Sequence, residues 1–138
     1  MKDYFNISLD GSQLQSISSI GLAHLGDAVY ELLVRSWLCA HGRATGKGLH
    51  RAAVELVKAP AQAQRAEKIL PLLTEEELAV YKRGRNAHVH TIPHSASRAD
   101  YLKATALECL LGDLYLRGQR ERINELFAVM MEEDQDAS

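Results

Sequence analysis

Apolar residues in this chain recur at helical spacing from end to end, and no run alternates with the period of a strand. β-Branched and aromatic clusters are also few. The pattern therefore predicts an all-α chain. Residues 1–11 read as irregular, with Asp10-Gly11 as a turn. A long helix is expected from about Ser18 to Ala40, ended by His41-Gly42, with a loop from Gly42 to Gly48. Leu49 to Val57 reads as a short helix, and Pro60 suits the first turn of another that runs to about Leu70. Thr74 followed by Glu77 is a capping box that starts a helix through about Arg83. Residues 84–98 lack an apolar period and read as the longest loop. Helices are expected from about Ala99 to Leu116, before Gly118, and from about Glu121 to Met131, followed by a frayed tail. There is no internal repeat and no linker, so the 138 residues read as one domain with its core in about 18–131.

Two of these helices are apolar nearly all round, which predicts that both are central. In the first, Leu22, Leu25, Val29, Leu32 and Leu33 make one stripe. Ile20, Val34 and Leu38 lie opposite, with Tyr30 and Trp37 between. Asp27 falls on that second side, with His24 one turn before it and Glu31 one turn after. In the second, Glu108 is embedded between Ala104, Leu111 and Tyr115, and Asp113 lies on another side. A carboxylate in a central helix costs stability unless it is paired or binds a cation. If the helices are neighbours, Asp27 and Glu108 can jointly bind a hard divalent cation, since Mg2+ takes one or two carboxylates and keeps several waters. For each acid taken alone, a salt bridge or a groove-facing side chain is the alternative.

At 46% hydrophobic and 25% charged residues the composition is that of a globular domain. No apolar run approaches the roughly 18 residues of a membrane span, and no signal-peptide pattern opens the sequence. A cytoplasmic protein with reduced thiols at Cys39 and Cys109 is the expectation. The formal charge of −2 argues against a nucleic-acid partner, but the charge comes in blocks. Residues 41–68 hold six basic and two acidic residues, and 82–103 hold five and one. Much of the acid lies in Glu75–Glu77 and in the last 18 residues. If the two basic blocks converge, they make a phosphate-binding surface.

At the residues that carry the two acids the sequence resembles the ribonuclease III family. Leu25-Gly26-Asp27-Ala28-Val29 matches the family's signature on a central helix. Glu108-Cys109-Leu110-Leu111-Gly112, followed by Leu114-Tyr115-Leu116, matches its second segment. The closer likeness is to the Mini-III branch, which lacks an appended double-stranded-RNA-binding domain. It extends to Tyr30-Glu31, Leu49-His50-Arg51 and Lys82-Arg83-Gly84-Arg85-Asn86-Ala87. Two acids of the wider family's metal cluster are replaced here by Ala23 and Thr105, a reduction that Mini-III proteins share.

The resemblance implies an all-α homodimer with an RNA duplex in a valley across the interface. It further implies that Asp27 and Glu108 are the essential catalytic, Mg2+-binding acids, whereas Glu31 and Asp113 are not carried over. Hydrolysis would leave a 5′-phosphate and a 3′-hydroxyl. The implied substrate is the stem of the 23S ribosomal RNA precursor, with a ribosomal protein as a candidate further partner. Nothing in the chain resembles a Ser–His–Asp or Cys–His arrangement. Without a separate RNA-binding domain, the basic blocks become the candidates for holding RNA. These are Arg43, Lys47, His50 and Arg51, then Lys82, Arg83, Arg85, Asn86, His88 and Arg98. His88, His90 and His94 have a spacing that can resemble a zinc site, but no Cys lies near and Pro93 interrupts them. RNA contact or exposure is therefore the reading. The alternatives are a catalytically weak duplex-RNA-binding module and an all-α protein-interaction domain.

Overall fold

The structure, a computed structural model, describes residues 1–42, 46–87 and 97–132, and within them it is helical with no strand. Seven α-helices follow in order. These are α1 Gly11–Gln15, α2 Ser19–Ala40, α3 Gly46–Val57, α4 Ala59–Ile69, α5 Glu75–Arg85, α6 Arg98–Leu116 and α7 Arg120–Met130. A single 3-10 turn, Leu70–Leu72, follows α4.

Local chemistry sets most of these ends. Ser18 caps α2 by accepting from the Gly21 N–H at 3.0 Å. Thr74 and Glu77 form the expected reciprocal box at 3.1 and 2.9 Å. Pro60 sits in the first turn of α4, where its missing N–H costs nothing. Gly118, at φ 76°, turns the chain out of α6 in a conformation that an L side chain resists.

α6 is the hub: it packs on α2, α4, α5 and α7. The main core gathers Tyr30, Val34 and Leu38 of α2, Leu107, Leu110 and Leu111 of α6, Ile69 of α4, and Leu126 and Met130 of α7. Each large aliphatic side chain buried here contributes roughly 1.5–3 kcal/mol. A smaller cluster holds the N-terminal residues, with Ile7 and Leu14 against Leu22, Cys109 and Leu116.

α2 and α6 cross with their backbones in contact. A Cβ on Gly26 would lie 1.6 Å from the Glu108 carbonyl oxygen. One on Gly112 would lie 2.1 Å from the Leu22 carbonyl oxygen. Only residues without a side chain fit at either point, so these two glycines fix where the helices cross.

Several expectations need correction. Asp10-Gly11 is not a free turn: Asp10 caps α1, in a reciprocal box with Gln13. α3 begins at Gly46, inside the stretch expected as a loop, because its amphipathic face docks Leu49, Ala52 and Leu56 on the core despite the low helix propensity of Gly46 and Gly48. α5 runs two residues further than expected, to Arg85, and α6 starts one earlier, capped by Ser97 through the Asp100 N–H at 3.1 Å. α2 is central but not covered all round. Leu32, expected in an apolar stripe with Leu22 and Val29, is 61% exposed, and Ile20 is 44% exposed. Asp113 is buried and paired with Arg117 at 2.7 Å, so its charge is satisfied within α6 and its C-terminal turn.

Candidate active site

The α2–α6 crossing places the two acids. Asp27 follows Gly26 directly, and the backbone of Glu108 is what Gly26 touches. The condition for a joint site, that the two acid-bearing helices be neighbours, is thus met. Asp27 itself is exposed rather than embedded, and Glu108 is half-buried. Both line a cavity of about 350 Å³ with Val57, Lys58, Gln62, Tyr101 and Thr105. Ala59, Pro60 and Ala104 complete the lining.

Burial pushes the Glu108 carboxyl up to about 8, and the adjacent negative charge of Asp27 acts in the same direction. Protonated Glu108 also donates a hydrogen bond to Asp27, whereas the Gln62 amide, as a donor to Glu108, opposes the rise. Glu31 adds a smaller repulsion, although it is itself paired with Arg35 at 3.2 Å. Two carboxylates thus share one space, and burial and repulsion together favour a proton on Glu108. Among the described residues no group of three or more His, Cys, Asp or Glu converges. The donor set is two carboxylates beside an open cavity, which fits a hard cation that keeps most of its water.

The cavity also has a positive rim. Lys58 precedes α4, and the first turn of that helix lines the same cavity through Ala59 and Pro60. The helix N-terminus favours negative charge there, in the same sense as the lysine. The Lys58 ammonium also pairs with Glu55 at 2.8 Å.

The basic residues expected to hold RNA are placed as follows. His50 and Arg51 are exposed on α3. Lys82, Arg83 and Arg85 are exposed in the last turn of α5, and Asn86 is its C-terminal cap. Arg98 is exposed at the start of α6. None of these lines the cavity with the acids; Lys58 does. Arg43, His88, His90 and His94 lie outside the described residues, as does the side chain of Lys47.

Sequence reading missed Lys58 and Gln62. Lys58 falls within the first basic block, and its position two residues before Pro60 is the available signal. Gln62 carried none, because a neutral residue near a helix start is ordinary. Cys109 is buried, which raises its thiol to about 11, and Cys39 is exposed; both are free.

The description "Ribonuclease III domain" matches residues 21–119. A Mini-ribonuclease 3 from Symbiobacterium thermophilum is 45% identical over 111 residues, covering 80% of this chain and 85% of that protein. Another from Brevibacillus brevis is 49% identical over 105 residues, covering 76% and 78%. A crystal structure of a Fusobacterium nucleatum protein superposes with a TM-score of 0.80 at 30% identity, covering 88% of this chain and 98% of that one.

Proposed function

Because this chain belongs to the ribonuclease III domain family, we propose that it is an endoribonuclease that cuts double-stranded RNA with Mg2+ held by Asp27 and Glu108. The observation that carries this reading is the meeting of the two acids at the α2–α6 crossing beside an open cavity. A Mg2+ ion held by Asp27 and Glu108 would supply charge neutralisation at the scissile phosphate and activation of water. Asp27 offers its oxygens from an exposed position. To ligate a cation Glu108 would have to lose its proton, and the charge of the ion would offset the repulsion between the two carboxylates. Lys58 and the first turn of α4 attract the phosphate to the same rim. The oxygen of water would bond to phosphorus as the P–O3′ bond breaks, the attacking water giving up a proton to solvent and O3′ taking one up, which leaves a 5′-phosphate and a 3′-hydroxyl.

The biological substrate we assign is the duplex stem of the 23S ribosomal RNA precursor, on the strength of the likeness to Mini-ribonuclease 3 proteins. The site of action is the cytoplasm, and no described helix is long and apolar enough to cross a membrane. We assign a homodimer as the working unit, with one site for each strand. The exposed apolar face of α2 supports this, with Leu32 beside Phe5 at a cavity of about 230 Å³. A monomer in sedimentation at micromolar concentration contradicts the two-site arrangement. The substrate class is tested by incubating the protein with duplex RNA, single-stranded RNA and duplex DNA in Mg2+. Cleavage of duplex RNA alone is expected, and equal cleavage of duplex DNA overturns it. Duplex binding without cleavage would favour the binding-module reading, which the replacement of two family acids by Ala23 and Thr105 motivates.

A further inference from the structure

Gln62 is buried, 4% exposed, and lines the cavity that holds Asp27 and Glu108. Its side chain has a fixed orientation. Nε2 donates to the Val57 carbonyl at 2.8 Å, and a carbonyl can only accept, so the nitrogen must face it. The same amide opposes the rise of the Glu108 carboxyl. Oε1 is then left buried with no hydrogen-bond partner. Among the described residues only two other buried side-chain atoms share that condition, Trp37 Nε1 and Tyr81 Oη, and neither belongs to a residue that lines this cavity. A buried acceptor without a donor is unfavourable in a folded protein, so one on a residue that lines a functional cavity is open to a donor brought by a ligand.

Two carboxylates and a carbonyl oxygen are acceptors, and together they suit a hydrated cation whose waters are donors. We propose that Gln62 is a third polar residue of the cation site, with Oε1 accepting a hydrogen bond from a water of the bound ion. The inference rests on the reading of Asp27 and Glu108 as cation ligands. Gln62 acts through the hydration shell and through Glu108, so it is a positioning residue. Partners of this kind commonly change metal affinity by 10- to 100-fold.

The test is calorimetric titration of Mn2+ into the full chain without RNA, so the readout is affinity and not turnover. Gln62→Leu removes both polar ends, and Gln62→Met is the second such variant should the first not fold by circular dichroism. Gln62→Glu keeps an acceptor and loses the donor. The expected result is about tenfold weaker Mn2+ binding in the apolar variant and binding at least as tight as wild type in Gln62→Glu. Equal affinity in wild type and the apolar variant overturns the proposal. Equal weakening in Gln62→Glu also overturns it, because that pattern belongs to a residue needed only as a donor to Val57 and Glu108. Asp27→Asn and Glu108→Gln serve as the separate control. Wild-type affinity in both of these variants, or no binding by wild type, defeats the two-acid site itself. Loss of binding in both with no effect of the apolar variant defeats only the role of Gln62.

Discussion

Gly26 lies against the backbone of Glu108 so closely that a single methyl group at Gly26 would overlap the Glu108 carbonyl oxygen. That contact is the structural meaning of a glycine beside the Asp27 carboxylate. It sets the helix crossing, and the crossing sets the distance between the two acids.

Gly26→Ala therefore forces α2 and α6 apart. The contact is with backbone, which cannot rotate away, so the cost should be about 3 kcal/mol or more. Denaturant unfolding measures it. Divalent-cation binding should weaken in the folded fraction, whereas unchanged stability would mean that the crossing is set elsewhere.

The raised Glu108 carboxyl makes stability depend on pH in a definite direction. Folded Glu108 titrates near 8 and its ordinary value is 4.5, so between these values the folded state holds a proton that the unfolded chain releases. Its contribution to the stability of the cation-free protein is lost as pH rises through that window. In chelator, Glu108→Gln should be more stable than wild type at pH 8.5, by roughly 4 kcal/mol, and nearly equal at pH 4.5. Thermal melts at the two pH values check this. Added Mg2+ should recover the lost stability in wild type and not in the variant.

Glu77 works in the opposite sense. Arg122 grips both of its oxygens at 2.9 Å and holds its carboxyl below the usual carboxylate value of 4.5. This interaction ties α5 to α7, is fully present above that value, and is lost as pH falls through the lower folded one. Glu77→Gln should cost about 2 kcal/mol at pH 7. It should also flatten the loss of stability on acidification, as read by urea unfolding at pH 7 and pH 3.5.

The helices that hold the site were legible because their apolar periodicity is long and their caps are unambiguous. Thr74 with Glu77 marked α5 almost to the residue. The short elements were not. Asp10 with Gln13 is the same capping logic as Thr74 with Glu77, but no apolar run follows it, so it read as a turn. Gly46 and Gly48 looked like loop residues because their conformation is decided by docking of Leu49 and Leu56, which local sequence does not display. Periodicity also gave the wrong environment for Leu32 and Asp27. A helical wheel shows which residues share a face and does not show whether another element covers it. Gln62 could not be singled out, because its importance lies in an oxygen left without a donor, which only the packed structure reveals.

Arg83 and Arg85 are exposed in the last turn of α5, where they also favour the helix C-terminus. If they contact RNA phosphates, Arg83→Ala and Arg85→Ala should each weaken duplex binding. Each should also lower the slope of log affinity against log salt by about 1. Binding measured across a salt series decides it, and an unchanged slope in both variants removes them from the interface.

The central claim is that Asp27 and Glu108 together hold the cation that cuts RNA. Cleavage of one duplex RNA by wild type, Asp27→Asn and Glu108→Gln, each in Mg2+ and in chelator, tests it most directly. Wild type should cut only in Mg2+, and both variants should be slower by at least a hundred- to a thousandfold while keeping their helical circular dichroism. Cutting at the wild-type rate by either variant, or by wild type in chelator, would contradict the account.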